Sequence, residues 1–300
     1  MASPSKTGAT RLAGIELGGT KCIGILASGP DAVHEKVEIA TADASSTLQR
    51  LHTMLRQWRF DALGVASFGP LELDPRRPAY GSLVDTPKAG WSGVSLLALA
   101  EGSPAALAID TDVNAAALAE GLWGAARGLR SWVYITVGTG VGVGSIVDGR
   151  PVRGLGHSEA GHIRVPRHGD RWPGNCAFHG DCVEGLASGP AIEARAGLAC
   201  EQIPSDHIVW EFAADALAGL CHALVYTVVP ERLIMGGGVM LGQPQLLPMI
   251  RARLIASLGK YSTGAQLQRR IDSFLVHPAL GAMAGPLGAI ALARQALTDT

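Results

Sequence analysis

Charge is scarce in this chain. Only 17% of its 300 residues are Asp, Glu, Lys or Arg, and 25 basic against 26 acidic side chains leave a formal net charge of -1. Nucleic acid is not an expected partner, because binding it rests on neutralising phosphates. Long hydrophobic runs are also missing: nothing approaches the roughly 20 apolar residues of a membrane helix, so no membrane partner is expected either. The opening MASPSKTGATR lacks the apolar stretch of a secretory signal, which points to the cytoplasm. Cysteine is sparse and odd in number, at positions 22, 176, 182, 200 and 221. Two of the five fall in a short His-containing stretch, which argues against a disulfide framework and for a metal. No charge block, low-complexity segment or long linker interrupts the chain. Its length suffices for two lobes, with a crossover between them expected near 115–130.

What the chain has in excess is glycine, 39 residues of it, gathered into clusters. Residues 12–27, LAGIELGGTKCIGILA, predict an apolar hairpin with Thr20 and Lys21 at its bend. ALGVASFGP (62–70) predicts a buried strand ending at a Gly-Pro turn, and 106–125 a strand running into an Ala-rich helix that begins near Asp112 and Asn114. WVYITVGTGVGVGSIV (132–147) repeats the first pattern. Roughly 185–229 is expected to be mostly helical, ERLIMGGGVM (231–240) to be a short strand entering a glycine turn, and the end of the chain to be a Gly-Pro turn followed by an apolar helix. Three glycine turns thus follow apolar strands: Gly18-Gly19-Thr20-Lys21, Gly138-Thr139-Gly140 and Gly236-Gly237-Gly238. Each is either an ordinary turn needing positive φ or a cradle of backbone N–H groups for phosphate. GxxxxGK[ST] is absent and no triplet has the GxGxxG spacing before a helix, which disfavours a P-loop ATPase and a Rossmann dehydrogenase.

Cys176, His179 and Cys182 are spaced C-x2-H-x2-C, with His162 and His168 upstream as possible fourth ligands. Tetrahedral zinc needs four such groups, and four protein ligands leave no open position, so a metal here is expected to be structural. HExxH and the deaminase HxE…PCxxC pattern are both absent. His157 and His168 are expected to face solvent. Asp110, Asp112 and Asn114 are all suitable helix caps.

The order of these pieces along nearly the whole chain resembles the ROK family of sugar kinases, and its fructokinase-like branch in particular. SFGP, YGSLVDTPKAGW (80–91) and the CxxHGxC turn are similar to that branch, although Ala89 stands where Pro is common. The resemblance implies an α/β fold of the actin-like ATPase superfamily, two ribonuclease-H-like lobes with a nucleotide and sugar cleft between them. The N-terminal lobe would take 1–118 completed by the C-terminal helix 284–300, and the second lobe 119–283. It implies ATP-dependent phosphorylation of a hexose, first of all fructose, with Asp112 as general base and ATP, Mg2+ and structural Zn2+ as cofactors. By the same resemblance Gly18, Gly19, Thr20 and Lys21 form the first phosphate loop, Gly138, Thr139 and Gly140 the second, and Gly236, Gly237, Gly238, Val239 and Met240 the adenosine turn, with Pro190 also at the nucleotide.

Glu16, where most members carry Asp, would hold magnesium. Gly69, Thr111, Asp112, Glu159, His162 and Glu184 would hold the sugar, Thr111 replacing the Asn of ROK glucokinases. The His of the EAGH segment, His162, is the implied fourth zinc ligand beside Cys176, His179 and Cys182. Clamping His162 to Cys182 would then draw Glu159 and Glu184 toward one pocket, so removing the metal is expected to raise the sugar KM more than it weakens nucleotide binding. Relatives imply a homodimer. Glucose, mannose and N-acetylhexosamines are alternative acceptors. The family's sugar-sensing repressors carry a winged helix ahead of the kinase-like body, whereas about eleven residues precede the first strand here, too few for one.

Overall fold

The computed structural model describes residues 10–298. The chain divides into two compact units: residues up to Ala119 together with those from Gly285 onward, and Glu120–Ala284. Each is built on a five-stranded mixed sheet with helices. No helix among the described residues is long and apolar enough to cross a membrane.

The first unit contains β1 (Leu12–Leu17), β2 (Lys21–Gly29), β3 (Ala32–Ala40), helix α1 (Ala44–Leu55), β4 (Ala62–Ser67), β5 (Ala106–Thr111) and the start of α2 (Asp112–Trp123). Strand order is β3-β2-β1-β4-β5. β1 and β4 are central and nearly continuous in apolar residues, as strands covered on both faces must be. β3 is an edge strand rich in charged and exposed residues, AVHEKVEIA, and gives little period-2 hydrophobic signal. Asp43 caps α1 by accepting the Ser46 amide at 2.9 Å, and Leu51, Met54 and Leu55 of that helix are buried.

The terminal helix Ala284–Thr298 lies against β1 and β4. It includes Gly285 and Pro286 in its first turn; a proline there sacrifices only an amide that has no intrahelical acceptor, so the expected Gly-Pro turn is part of the helix. The approach is close enough that a Cβ on Gly64 would lie 1.9 Å from the Ala289 carbonyl oxygen.

The second unit contains β6 (Trp132–Val137), β7 (Val141–Val147), β8 (Arg150–Pro151), helices α3 (Val183–Ala187), α4 (Gly189–Ala196) and α5 (Val209–Thr227), then β9 (Arg232–Gly236), α6 (Gly238–Gly242), α7 (Leu246–Leu258) and β10 (Leu275–Val276). Strand order is β10-β9-β6-β7-β8. α5 buries Trp210, Ala213, Leu217, Leu220, Cys221 and Leu224 at helical spacing, in a core shared with β6, β9 and α7. Glu120 is fully buried and accepts three amides, from Ala125 at 2.5 Å, Ala279 at 3.2 Å and Leu280 at 2.9 Å, so its carboxylate is satisfied without a cation.

Because the atom blocking a side chain at position 64 is backbone, it cannot rotate away. Gly64→Ala is expected to destabilise the protein by about 1–3 kcal/mol, read as a lowered urea midpoint with an unchanged slope.

Candidate active site and metal cluster

Parallel pairing sets the first group of residues. Leu17, Ser67 and Thr111 are aligned across β1, β4 and β5 at the carboxyl ends of the strands. The segments that follow, Gly18–Lys21, Phe68–Pro70 and Asp112, therefore emerge along one rim, about 4.8 Å per strand step. Ligands of open α/β sheets bind at such carboxyl ends. In the first turn, the Gly18 amide donates to the Lys21 carbonyl at 3.0 Å, and Thr41 donates its hydroxyl to the Gly18 carbonyl at 2.8 Å. Lys21 itself pairs with Glu38 at 3.0 Å, both side chains more than half exposed.

Helix α2 begins at Asp112, and its cap is Thr111, whose Oγ1 accepts the Asn114 amide at 3.2 Å. Asp110 accepts the Thr111 amide and the Asn114 side-chain amide, at 2.7 and 2.9 Å. Asp112 Oδ1 accepts the adjacent Val113 amide, at 2.8 Å. Burial pushes the Asp112 carboxyl up to about 6. Burial, reinforced by the Asp112 charge, pushes Glu16 up to about 7. Glu16 also lies over the first turn of the terminal helix, where a Cβ on Gly285 would come within 2.0 Å of its Oε1. Two half-buried acids that repel each other and consist of hard oxygen donors suit a divalent cation such as Mg2+, whose charge relieves both desolvation and repulsion.

The other two glycine turns are neighbours in the second unit, at the ends of the parallel strands β6 and β9. Gly237 has φ 90° and sits so close to the Val137 carbonyl oxygen that a Cβ would lie 2.4 Å from it. Only glycine meets both demands. The Gly138 carbonyl accepts the Gly189 amide at 2.8 Å, which brings the first turn of α4, with Pro190, against the second glycine turn. Val239 and Met240 are buried in α6, directly after the third turn.

His162, Cys176, His179 and Cys182 each offer a ligand atom, all within 4.8 Å of one another. Cys176 Sγ lies 3.7 Å from both His162 Nδ1 and His179 Nδ1, and Cys182 Sγ lies 3.5 Å from His162 Nδ1. Tetrahedral bonds of ordinary length, Zn–S about 2.3 Å and Zn–N about 2.05 Å, give a sulfur–nitrogen edge of about 3.6 Å. The donor set fits zinc in type and in size. Burial pushes the Cys182 thiol up to about 11, so it is the cation that would make it a thiolate. His168 is exposed and outside the group. His157, expected in solvent, has a side chain only 6% exposed, with Nδ1 3.4 Å from Glu159 Oε1. A partner carboxylate made that burial possible, and the sequence spacing did not show it.

Residues 12–296 match the ROK family. A fructokinase from Pediococcus pentosaceus is 37% identical over 96% of this chain and 99% of its own length. One from Zymomonas mobilis subsp. mobilis is 41% identical over 78% of each chain. The crystal structure of a ROK hexokinase from Thermus thermophilus superposes with a TM-score of 0.76 at 26% identity, covering 97% of this chain and all of its own. The chain belongs to the ROK family.

In this ROK protein the residues expected at the sugar are divided between the two units. Gly69, in a cis peptide with Pro70, and Thr111 share the rim with Asp112, whereas Glu159, His162 and Glu184 lie with the metal cluster. Trp91 is fully buried and packs edge-on against Phe68, ring centroids 5.4 Å apart, so it is a core residue. Sequence reasoning missed Lys88, whose Nζ reaches the Gly19 carbonyl at 2.6 Å and adds a second cation to the first glycine turn. The TPK-GW stretch was the available signal, but nothing local shows that position 88 folds back 69 residues to that turn.

Purified protein is expected to carry about one zinc per chain, the stoichiometry of a single closed four-ligand site. His162→Ala should lose it and His168→Ala should keep it, as read by elemental analysis after gel filtration.

Proposed function

We propose that this protein is an ATP-dependent hexose kinase with fructose as first-choice acceptor, forming fructose 6-phosphate. The observation that supports this most is the state of Asp112. It stands at the carboxyl rim of the sheet beside the first glycine turn, and Thr111 rather than Asp112 serves as the helix cap. Its pKa near 6 is suited to a base at neutral pH. The choice of fructose is supported by the relatives named as fructokinases at 37% and 41% identity.

In this reading the amides of the three glycine turns receive the phosphates of ATP, with Lys21 and Lys88 adding positive charge at the first. Glu16, with Asp112 nearby, would hold Mg2+, which when bound supplies charge compensation to the phosphates. The acceptor hydroxyl of the sugar attacks the γ-phosphorus and its proton passes to Asp112. The bond from that phosphorus to the bridging oxygen breaks, and ADP departs with the electron pair. Gly69 and Thr111 are the candidate sugar contacts in the first unit, and Glu159, His162 and Glu184 those in the second. The zinc has no open position for a reactant and serves as a brace for residues 157–184.

Asp112→Asn is expected to lower kcat about 10²–10⁴-fold in an ADP-release assay run over a panel of hexoses. The base must be ionised in the free enzyme. Wild-type kcat/KM should therefore rise with pH through about 6 and then level, an inflection the variant should lack. Turnover of Asp112→Asn at the wild-type rate would remove the base assignment. Preference for another hexose would remove fructose alone.

A further inference from the structure

The metal cluster and the second glycine turn are joined by one side chain. Glu184 is the second residue of α3, directly after Cys182 and Val183. Its Oε2 accepts the Val141 amide at 3.1 Å, and its Oε1 lies 4.0 Å from His162 Nε2. The opposite nitrogen of that ring, Nδ1, is the one that faces Cys176 and Cys182. His162 thus presents one nitrogen to the cluster and turns the other toward a carboxylate, an electrostatic contact longer than a hydrogen bond but in the direction from which partners of metal-ligating histidines act.

The connection is doubled in the backbone. Gly161, next to His162, lies so near Val141 that a Cβ there would be 1.7 Å from the Val141 carbonyl oxygen. At the same carboxylate oxygen that accepts the Val141 amide, a Cβ on Gly140 would lie 2.6 Å from Glu184 Oε2. Val141 opens β7 and closes the turn of Gly138, Thr139 and Gly140. Its amide and its carbonyl are therefore both bounded by residues of the metal cluster or their immediate neighbours.

We propose that Glu184 is a positioning residue for the second phosphate loop, transmitting the rigidity of the metal cluster to the amides of residues 138–141. This is a role apart from any hydrogen bond it makes to sugar. The identity of the loop's ligand rests on the kinase reading; the coupling between cluster and loop does not. The proposal differs from the expectation drawn from spacing, that metal removal would affect mainly the sugar: losing the cluster would free His162, then Glu184, then the second glycine turn.

The test uses the zinc-loaded full chain as wild type, Glu184→Ala and Glu184→Gln, all without sugar. Zinc content, amide hydrogen exchange at residues 138–142 and calorimetric binding of a non-hydrolysable ATP analogue are measured, with exchange in α5 as the control for folding. Glu184→Ala should keep its zinc, exchange the Val141 amide at least about 10-fold faster and bind the analogue about 10-fold more weakly, in the range seen when partners of metal ligands are removed. Glu184→Gln retains an acceptor for the Val141 amide and should lie close to wild type in exchange. Chelating zinc from the wild type should reproduce the faster exchange, and chelating it from Glu184→Ala should add little. Unchanged exchange and unchanged analogue affinity in Glu184→Ala would overturn the proposal; so would fully additive effects of chelation and substitution. If Glu184→Ala does not fold, Glu184→Gln and chelation of the wild type decide: slow exchange after chelation counts against the coupling. A wild type that binds no analogue would sink the kinase reading, while Val141 exchange would still decide the coupling.

Discussion

The parallel register of β1, β4 and β5 is the constraint on which the chemistry of the first unit depends. Three strands ending level at Leu17, Ser67 and Thr111 force the chain to turn at the same height three times. Whatever follows each strand is delivered to one rim, independent of distance in sequence. A glycine turn, a Gly-Pro turn and a helix start are three different ways of leaving that rim, and each leaves a different group there. These groups are backbone amides, a close-lying cis peptide and a carboxylate. Had β5 slipped by one residue, the alternation of the pleat would have sent Asp110 and Thr111 to opposite faces and moved the helix start away.

The same constraint has an electrostatic cost. Glu16 and Asp112 are both raised, to about 7 and about 6, first by burial and, for Glu16, also by the neighbouring charge. In the folded protein each binds its proton more tightly than in the unfolded chain. Their contribution to stability is complete below the unfolded values near 4 and is lost as pH rises through the folded ones. At neutral pH Asp112 is therefore ionised against the preference of the fold, while Glu16 is poised between its protonated and ionised forms. A protein with no use for these charges would do better with Asn and Gln. A divalent cation would reverse the sign of the interaction, and binding it would release protons from Glu16.

Much of this was legible in sequence, because the relevant signals are local. Apolar runs ending in Gly-rich turns placed β1, β4, β6 and β9, and the C-x2-H-x2-C spacing marked three of the four clustered metal-type ligands. The readings that needed revision concern groups whose role is decided by the local folded geometry and not by residue type. Thr111 rather than Asp112 caps α2, a choice between two suitable side chains that only the helix geometry makes. His157 is buried because Glu159 is there to meet it. Pro286 enters a helix because that helix begins two residues earlier. β3 and α1 gave no clear signal, since an edge strand carries its charges outward and α1 buries only a narrow stripe.

The glycine turns differ in how they are held, and the difference has a physical consequence. Around the first, the cations are Lys21, paired with an exposed Glu38, and Lys88, reaching a carbonyl from the surface. An exposed ion pair such as Lys21–Glu38 contributes about 0–1 kcal/mol, so Lys21 could leave its partner for an anion at little cost. The second and third turns are fixed by backbone contacts, Gly189 to Gly138 and Gly237 against Val137, and by one carboxylate, Glu184 on the Val141 amide. The backbone contacts are short and offer no alternative rotamer. A site that stabilises charge by preorganised dipoles needs its amides set before the ligand arrives, whereas mobile ammonium groups can follow charge as it moves. On the proposed function, the amides of the second unit's turns would suit the first task and the lysines at the rim of the first unit the second. The four clustered metal-type ligands lie near Val141 and so would brace the preset amides.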